Sequence, residues 1–196
     1  MRSMQGSTTE IEVKLPFDSA DAARQRLQRL AITVQQPREF EDNVLFDRDF
    51  DPLAPAGMVL RLRRTGDRAL LTLKTRPSDV GERRYKIREE HETPVGDPDA
   101  MTRLLQHLGF KPGYRYQKYR TVFVLGNLSL CLDETPLGCF VELEGPPGEI
   151  DSAAGRLGFQ PDEYVCESYR ELHALDARRR GVAQGDLLME PQQESS

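Results

Sequence analysis

Tryptophan is absent, and the 196 residues hold only three cysteines and three histidines. Cys131, Cys139 and Cys166 form no CxxC pair and no Cys/His cluster, which excludes a disulfide framework and a zinc site of ordinary spacing. They read as reduced thiols filling the core. His91, His107 and His173 share no metal-ligand spacing and read as structural or surface residues. No stretch approaches membrane-spanning length, and the opening MRSMQGSTT has no apolar signal-like region. The expectation is a soluble, cytoplasmic protein with no membrane partner. Basic charge is not in excess: a formal net charge of −5 argues against a general nucleic-acid binder. Gly145-Pro146-Pro147-Gly148 lacks the Lys-Ser/Thr of a phosphate-cradling loop and reads as a plain connection between strand and helix.

What remains is a polar but globular composition, 38% hydrophobic and 30% charged, at single-domain length. Residues 1–8 read as a flexible N-terminus, 9–178 as one domain, and 179–196 as a loose tail without periodicity. One helix follows Phe17, capped by Asp18 or Ser19, with Ala23, Leu27 and Leu30 on its apolar face. A second has Asp97 as N-cap, Pro98 in its first turn, Leu104, Leu105 and Leu108 as its stripe, and Gly109 past its end. A third spans about 151–157 and a fourth about 168–178. The phrases LGFKP (108–112) and LGFQP (157–161) read as two helix exits, not as a repeat. Strand-like blocks lie near 10–15, 38–47, 57–65, 68–76, 82–93, 114–125, 127–133 and 138–144. Eight strands with few helices predict an α+β fold, an eight-stranded antiparallel closed β-barrel with helices packed outside.

The strands alternate in a telling way. Glu10-Ile11-Glu12-Val13-Lys14-Leu15, Leu60-Arg61-Leu62-Arg63, Leu71-Thr72-Leu73-Lys74 and Val141-Glu142-Leu143-Glu144 each put charge or hydroxyl on one face and aliphatics on the other. Taken singly, such a block is an ordinary solvated face. Taken together, the aliphatic faces must cover the helices' stripes, so the charged faces converge inside the barrel. A mixed interior of Lys14, Arg61, Arg63, Lys74, Arg88, Lys118 and Arg120 with Glu10, Glu12, Glu90, Asp133, Glu142 and Glu144 suits a polyphosphate accompanied by hard cations. Arg64, Arg68, Arg76, Arg83 and Arg84 read as surface charges, Lys86 is left open, and Tyr114, Tyr116 and Tyr119 read as wall or rim packing.

These residues also carry a resemblance. Glu10-x-Glu12-x-Lys14 is similar to the ExExK signature of CYTH proteins, the triphosphate tunnel metalloenzymes. Asp42-Asn43 with Phe46, Arg61-x-Arg63, Thr72-Leu73-Lys74, Arg88-x-Glu90-x-Glu92, Lys118-x-Arg120, Glu142-x-Glu144 and Ser168-Tyr169 continue it over about residues 10–175. The resemblance implies Glu10, Glu12, Glu90, Glu92, Glu142 and Glu144 as ligands of Mg²⁺ or Mn²⁺. It implies Lys14, Arg61, Arg63, Lys74, Arg88, Lys118 and Arg120 as triphosphate contacts. Lys14, Glu12 and Asp133 are the implied catalytic groups, Asp133 by holding a metal-bound water or orienting a basic neighbour.

The implied activity is hydrolysis of tripolyphosphate, a nucleoside triphosphate or thiamine triphosphate, with class IV adenylate cyclisation of ATP as the alternative. The absence of tryptophan removes a Trp platform for thiamine. A non-catalytic polyphosphate- or nucleotide-binding module could dispense with the paired carboxylates, and a single-strand nucleic-acid barrel would be repelled by them. The chain is expected to act as a monomer or homodimer.

Overall fold

The computed structural model describes residues 8–77 and 84–190. Its elements run β1 (Thr8–Phe17), α1 (Ala20–Leu27), β2 (Thr33–Asp47), β3 (Val59–Thr65), β4 (Arg68–Thr75), β5 (Lys86–Pro94), α2 (Pro98–His107), β6 (Lys111–Leu125), β7 (Leu128–Thr135), β8 (Gly138–Glu144), α3 (Pro147–Arg156) and α4 (Tyr169–Arg180). The strands close an antiparallel barrel in the order β1-β5-β4-β3-β2-β6-β7-β8. Closure falls on β1, whose first half pairs with β5 and whose second half pairs with β8. Beyond the end of the β5 pairing, Lys14 exchanges backbone hydrogen bonds with Val165 instead. No helix of the described residues is long and apolar enough to cross a membrane.

Alternation decides what faces where. Val13, Leu15, Leu130, Leu132, Val141 and Leu143 point outward and meet Ala23, Leu27 and Leu30 from the α1 region and Ile150, Ala153, Ala154 and Leu157 from α3. Leu60 and Leu62 of β3 meet Leu105 of α2 in a second outer cluster with Phe46 and Leu53. The inward residues between these positions form the interior. One end of that interior is apolar: Tyr114, Tyr116 and Phe140 stack under Tyr169 of α4, with Leu187 against them.

The helix ends follow their chemistry. Ser19 Oγ accepts from Ala22 N at 3.1 Å, and Asp97 Oδ1 accepts from Ala100 N at 2.8 Å. Ser168 and Glu171 form a reciprocal capping box at the start of α4. The two LGF phrases are indeed matching exits. Gly109 (φ 87°) and Gly158 (φ 88°) take the left-handed conformation, and Phe110 N and Phe159 N reach back to Leu105 O and Ala154 O.

Several expectations need correction. Only Leu105 of the expected α2 stripe is buried; Leu104 is 57% and Leu108 71% exposed, because Phe110 and Met101 complete that contact instead. α3 begins at Pro147, so part of the expected loop Gly145–Gly148 is its first turn. The strand expected over 82–93 begins at Lys86; positions 82 and 83, with Arg83, lie outside the described residues, as do 1–7 and 191–196. The stretch expected to be loose from 179 is helix through Arg180. Beyond it, Leu187 is buried, exchanges hydrogen bonds with Arg115 and Gln117, and adds a parallel bridge beside Tyr116.

This division of faces predicts unequal costs for two leucines. Leu143→Ala empties a fully buried outer-core position and should lower unfolding free energy by about 2–5 kcal/mol. Leu108→Ala should change it by less than about 0.5 kcal/mol. Urea unfolding monitored by circular dichroism measures both, and equal losses would contradict the assignment of Leu108 to solvent.

Candidate active site

The barrel interior opens into a cavity of about 540 Å³. Glu10, Glu12 and Lys14 reach it from β1, Arg61 and Arg63 from β3, Lys74 from β4, and Lys86, Arg88, Glu90 and Glu92 from β5. Lys118 and Arg120 of β6 and Glu142 and Glu144 of β8 complete the wall. Every expected metal and phosphate contact therefore faces one space. Register explains why: Glu12 sits opposite Glu144 and Lys86, Lys14 opposite Glu142, Glu10 opposite Arg88, and Lys74 opposite Glu90. Among the described residues ten basic and eight acidic side chains line the cavity, so an anion is favoured overall.

Most of these charges are matched within the wall. Lys14, 1% exposed, lies 3.2 Å from Glu12 and 3.3 Å from Glu142. Lys86 Nζ donates to Glu12 at 2.6 Å, and Lys74 donates to Glu10 at 2.8 Å and also pairs with Glu90. Burial alone would push Lys14 down, but Glu12 and Glu142 outweigh it and hold the ammonium above its ordinary value. Burial would raise Glu12, yet Lys14 and Lys86 hold it well below the carboxylate range. Lys14 is thus a fixed cation and Glu12 a fixed anion near neutral pH.

The opposite wall is built on two acids. Asp133, fully buried on β7, accepts from Lys118 at 2.8 Å, from Arg120 through both oxygens at 2.6 Å, and from Tyr169 Oη at 2.6 Å. It does not line the cavity. Its two oxygens are taken up by two cations of the wall and one phenol. Glu41 of β2, 2% exposed, lies 3.2 Å from Arg63 and 3.6 Å from Lys118. Burial would raise Glu41, but Arg63, Lys118 and Arg120 bring it down to about 2.

Two arginines are less fully matched. Arg61 donates through Nη2 to Thr72 Oγ1 at 3.3 Å, while its buried Nε has no partner. Arg88 donates to the carbonyl of Ile87, and burial together with Arg76 pushes it below its ordinary value. An unspent, desolvated guanidinium is a ready anion contact.

The carboxylates offer only oxygen donors, which suits a hard divalent cation. Burial pushes Glu10 up to about 8 against the pull of Lys74, with Glu12 and Glu90 adding to the rise. Burial and Glu12 also push Glu144 up. Carboxylates crowded in this way would be relieved by a divalent charge. They are not gathered into a coordination shell: among the described residues no group of three or more His, Cys, Asp or Glu is placed to hold a metal ion. Lys74 and Lys86 sit on Glu10, Glu90 and Glu12, and Glu142 is taken by Lys14 and Arg120. Glu92 accepts from Thr72 Oγ1 at 2.8 Å.

Sequence reasoning missed several wall residues. Glu41 shares the inward parity of Asn43, a signal that lay in the strand pattern. Lys86 belongs to the wall, and Arg76, read as surface, lines the cavity beside Gly57. Ser168, Tyr169, Arg170 and Glu171 join from α4 through tertiary packing, which no local pattern announces. Arg64, Arg68 and Arg84 are surface charges as expected, paired with Asp99, Glu39 and Asp151.

The CYTH domain family matches residues 8–155. The chain belongs to the CYTH family. Three solved structures give the scale of likeness. A candidate adenylate cyclase from Vibrio parahaemolyticus superposes with a TM-score of 0.74 at 19% identity, over 87% of this chain and 99% of that one. A Pyrococcus horikoshii protein gives 0.66 at 26% identity, over 85% and 99%. A candidate adenylyl cyclase from Hippeastrum, which has a dominant triphosphatase activity, gives 0.57 at 19% identity, over 91% and 97%. No curated protein matches the chain significantly.

The raised Glu10 carboxyl predicts a pH signature of the metal-free CYTH barrel. A carboxyl whose folded pKa exceeds its unfolded value, here about 8 against 4.5, is favoured by folding only while it is protonated. Its contribution is complete below the unfolded value, declines as pH rises, and is gone above the folded value. The melting temperature in chelator should therefore fall between about pH 5 and about pH 8. Glu10→Gln should remove a large part of that decline; an identical slope would contradict the raised pKa.

Proposed function

We propose that this CYTH protein is a divalent-metal-dependent triphosphatase, which binds a triphosphate in the barrel and hydrolyses it. The candidate substrates are inorganic tripolyphosphate, a nucleoside triphosphate and thiamine triphosphate. The observation that carries the reading is one cavity lined both by Arg61, Arg63, Lys118 and Arg120 and by the carboxylates of Glu10, Glu12, Glu90 and Glu144. Bound Mg²⁺ or Mn²⁺ would neutralise phosphate oxygens and activate water. Glu10, Glu12, Glu142 and Glu144 would hold it, with Glu90 and Glu92 assisting.

The chain's own residues would do the rest by position and charge. Arg61 and Arg63 offer planar donors to phosphate oxygens, and Arg88 faces the same space from β5. Lys14, Lys74 and Lys86 place point charges along β1, β4 and β5. Lys118 and Arg120 are aimed by Asp133, which acts as a positioning residue and not as a proton acceptor. Burial keeps water from screening these charges.

A second reading is class IV adenylate cyclisation, in which the 3′-hydroxyl of ATP attacks the α-phosphorus and pyrophosphate leaves. It is favoured by Leu45, Met58 and Ala174, which give the same cavity an apolar part beside the charges, room that a nucleoside could use. Localisation in the cytoplasm remains part of the proposal.

Purified protein with tripolyphosphate, ATP or thiamine triphosphate and Mg²⁺ or Mn²⁺ should release orthophosphate; cyclic AMP with pyrophosphate would select the cyclase. No turnover with either metal would end both readings. Glu144 makes no ion pair among the described residues, so Glu144→Gln tests metal use without dismantling the wall. It should lower metal-dependent kcat about a hundredfold or more with little change in melting temperature. Unchanged turnover would remove Glu144 from the site.

A further inference from the structure

Three phenols meet at the apolar end of the interior, and their hydroxyls are used differently. Tyr114 Oη lies 3.0 Å from His173 Nδ1, and Tyr169 Oη donates to Asp133. Tyr116, between them in the stack, has no such acceptor among the described residues. Its ring is fixed, with centroids 6.1 Å from Tyr114 and 6.2 Å from Tyr169. It is 8% exposed and lines the cavity.

The surroundings of that hydroxyl are cationic. Arg61 and Arg63 approach from β3 and Lys118 from β6 itself, two residues along the same face. Glu41 and Asn43 of β2 are turned to Arg63 and Lys118, and Tyr169 of α4 is turned to Asp133. Burial would raise the phenol, yet Arg61, Lys118 and Arg63 draw it down to about 8. Arg61 Nε is likewise without a partner. The Arg61 guanidinium can only donate to the phenol oxygen, so the Tyr116 O–H is still left without an acceptor among the described residues, in a positive field. Buried donors of this kind require an acceptor, and here the acceptor must be an anion.

We propose that Tyr116 is a substrate contact, donating its hydroxyl proton to a non-bridging oxygen of the phosphate gripped by Arg61, Arg63 and Lys118. The inference rests on the triphosphate reading and adds to it a neutral donor among the cations. The ligand it selects is a phosphate with a free, ionised oxygen at the inner end of the chain. The sign of its pH response follows. The neutral phenol donates, whereas the phenolate would repel the same oxygen, so affinity should fall as pH rises through about 8.

Binding, not turnover, tests this, so that failure of the enzyme reading remains distinguishable. Inorganic tripolyphosphate is titrated calorimetrically in chelator into wild type, Tyr116→Phe and Tyr114→Phe. Tyr116→Phe keeps the ring stack and removes only the hydroxyl. It should bind about tenfold more weakly near neutral pH, consistent with a lost hydrogen bond to a charged group. Tyr114→Phe should match wild type. Glu10 titrates in the same pH range, so the diagnostic quantity is the ratio of wild-type to Tyr116→Phe affinity, which should shrink between about pH 7 and about pH 9. An unchanged affinity in Tyr116→Phe, or a ratio independent of pH, overturns the contact. Wild type failing to bind tripolyphosphate overturns it together with the triphosphate site. Binding without hydrolysis of any triphosphate overturns only the enzyme reading.

Discussion

The structure depends on one constraint: the barrel's aliphatic faces are spent on its helices, so its charged faces have nowhere to go but inward. Val13, Leu15, Leu130, Leu132, Val141 and Leu143 cannot both cover α1 and α3 and line the interior. Charge burial on this scale is unfavourable unless each group finds a partner. The strand register supplies those partners, since the residues that meet across β1, β5, β4 and β8 are of opposite sign at Lys14 and Glu142, Glu12 and Lys86, and Lys74 and Glu90. The interior is therefore a neutralised network before any ligand arrives, with its surplus of positive charge left on arginine.

The kinds of partner differ across the cavity, and the difference has chemical weight. Arg120 is clamped through both oxygens of Asp133, and Lys118 is held by the same carboxylate from behind the wall. Such a clamp fixes direction as well as charge. On the β1–β5 side, Lys74 rests on Glu10 and Glu90 and Lys86 on Glu12, each through one ammonium group at the end of a flexible stem. A lysine can turn from a carboxylate to a phosphate by rotating a flexible stem, whereas a clamped guanidinium cannot. One wall is thus preorganised, and the other is held together by contacts that a ligand and its counter-cations could exchange.

Much of this was legible in the sequence because the period-two alternation of the strands is a direct image of inside and outside. Glu10, Glu12, Lys14, Arg61, Arg63, Lys74, Glu142 and Glu144 could be assigned to one space from parity alone, once the helices were given the other face. Parity also placed Asp133 inward, but it cannot say how deep a residue sits, and Asp133 lies behind the cavity lining, bonded to Lys118 and Arg120. The misassigned residues share a cause. Arg76 lies just beyond its strand, where alternation ends, and Ser168 to Glu171 reach the cavity only by the docking of α4. Leu104 and Leu108 read as core because a helical stripe is counted without knowing how much surface its sheet offers. Leu187 read as loose because a single buried side chain carries no period.

The apolar end of the interior gives the charged part its definition. Tyr114, Tyr116, Phe140 and Tyr169 pack together there, and Leu187 from the chain's C-terminal stretch lies against them. Without that stack, water would screen Lys14, Lys118 and Glu41, each now at most 2% exposed, more readily. Tyr169 joins the two regions, since its ring packs on Phe140 and lies under the ammonium groups of Lys14 and Lys118 while its hydroxyl meets Asp133. Removing water at one end strengthens every charge contact at the other. The charge contacts of the wall therefore depend on the aromatic cluster beside it as well as on the arginines and lysines that form them.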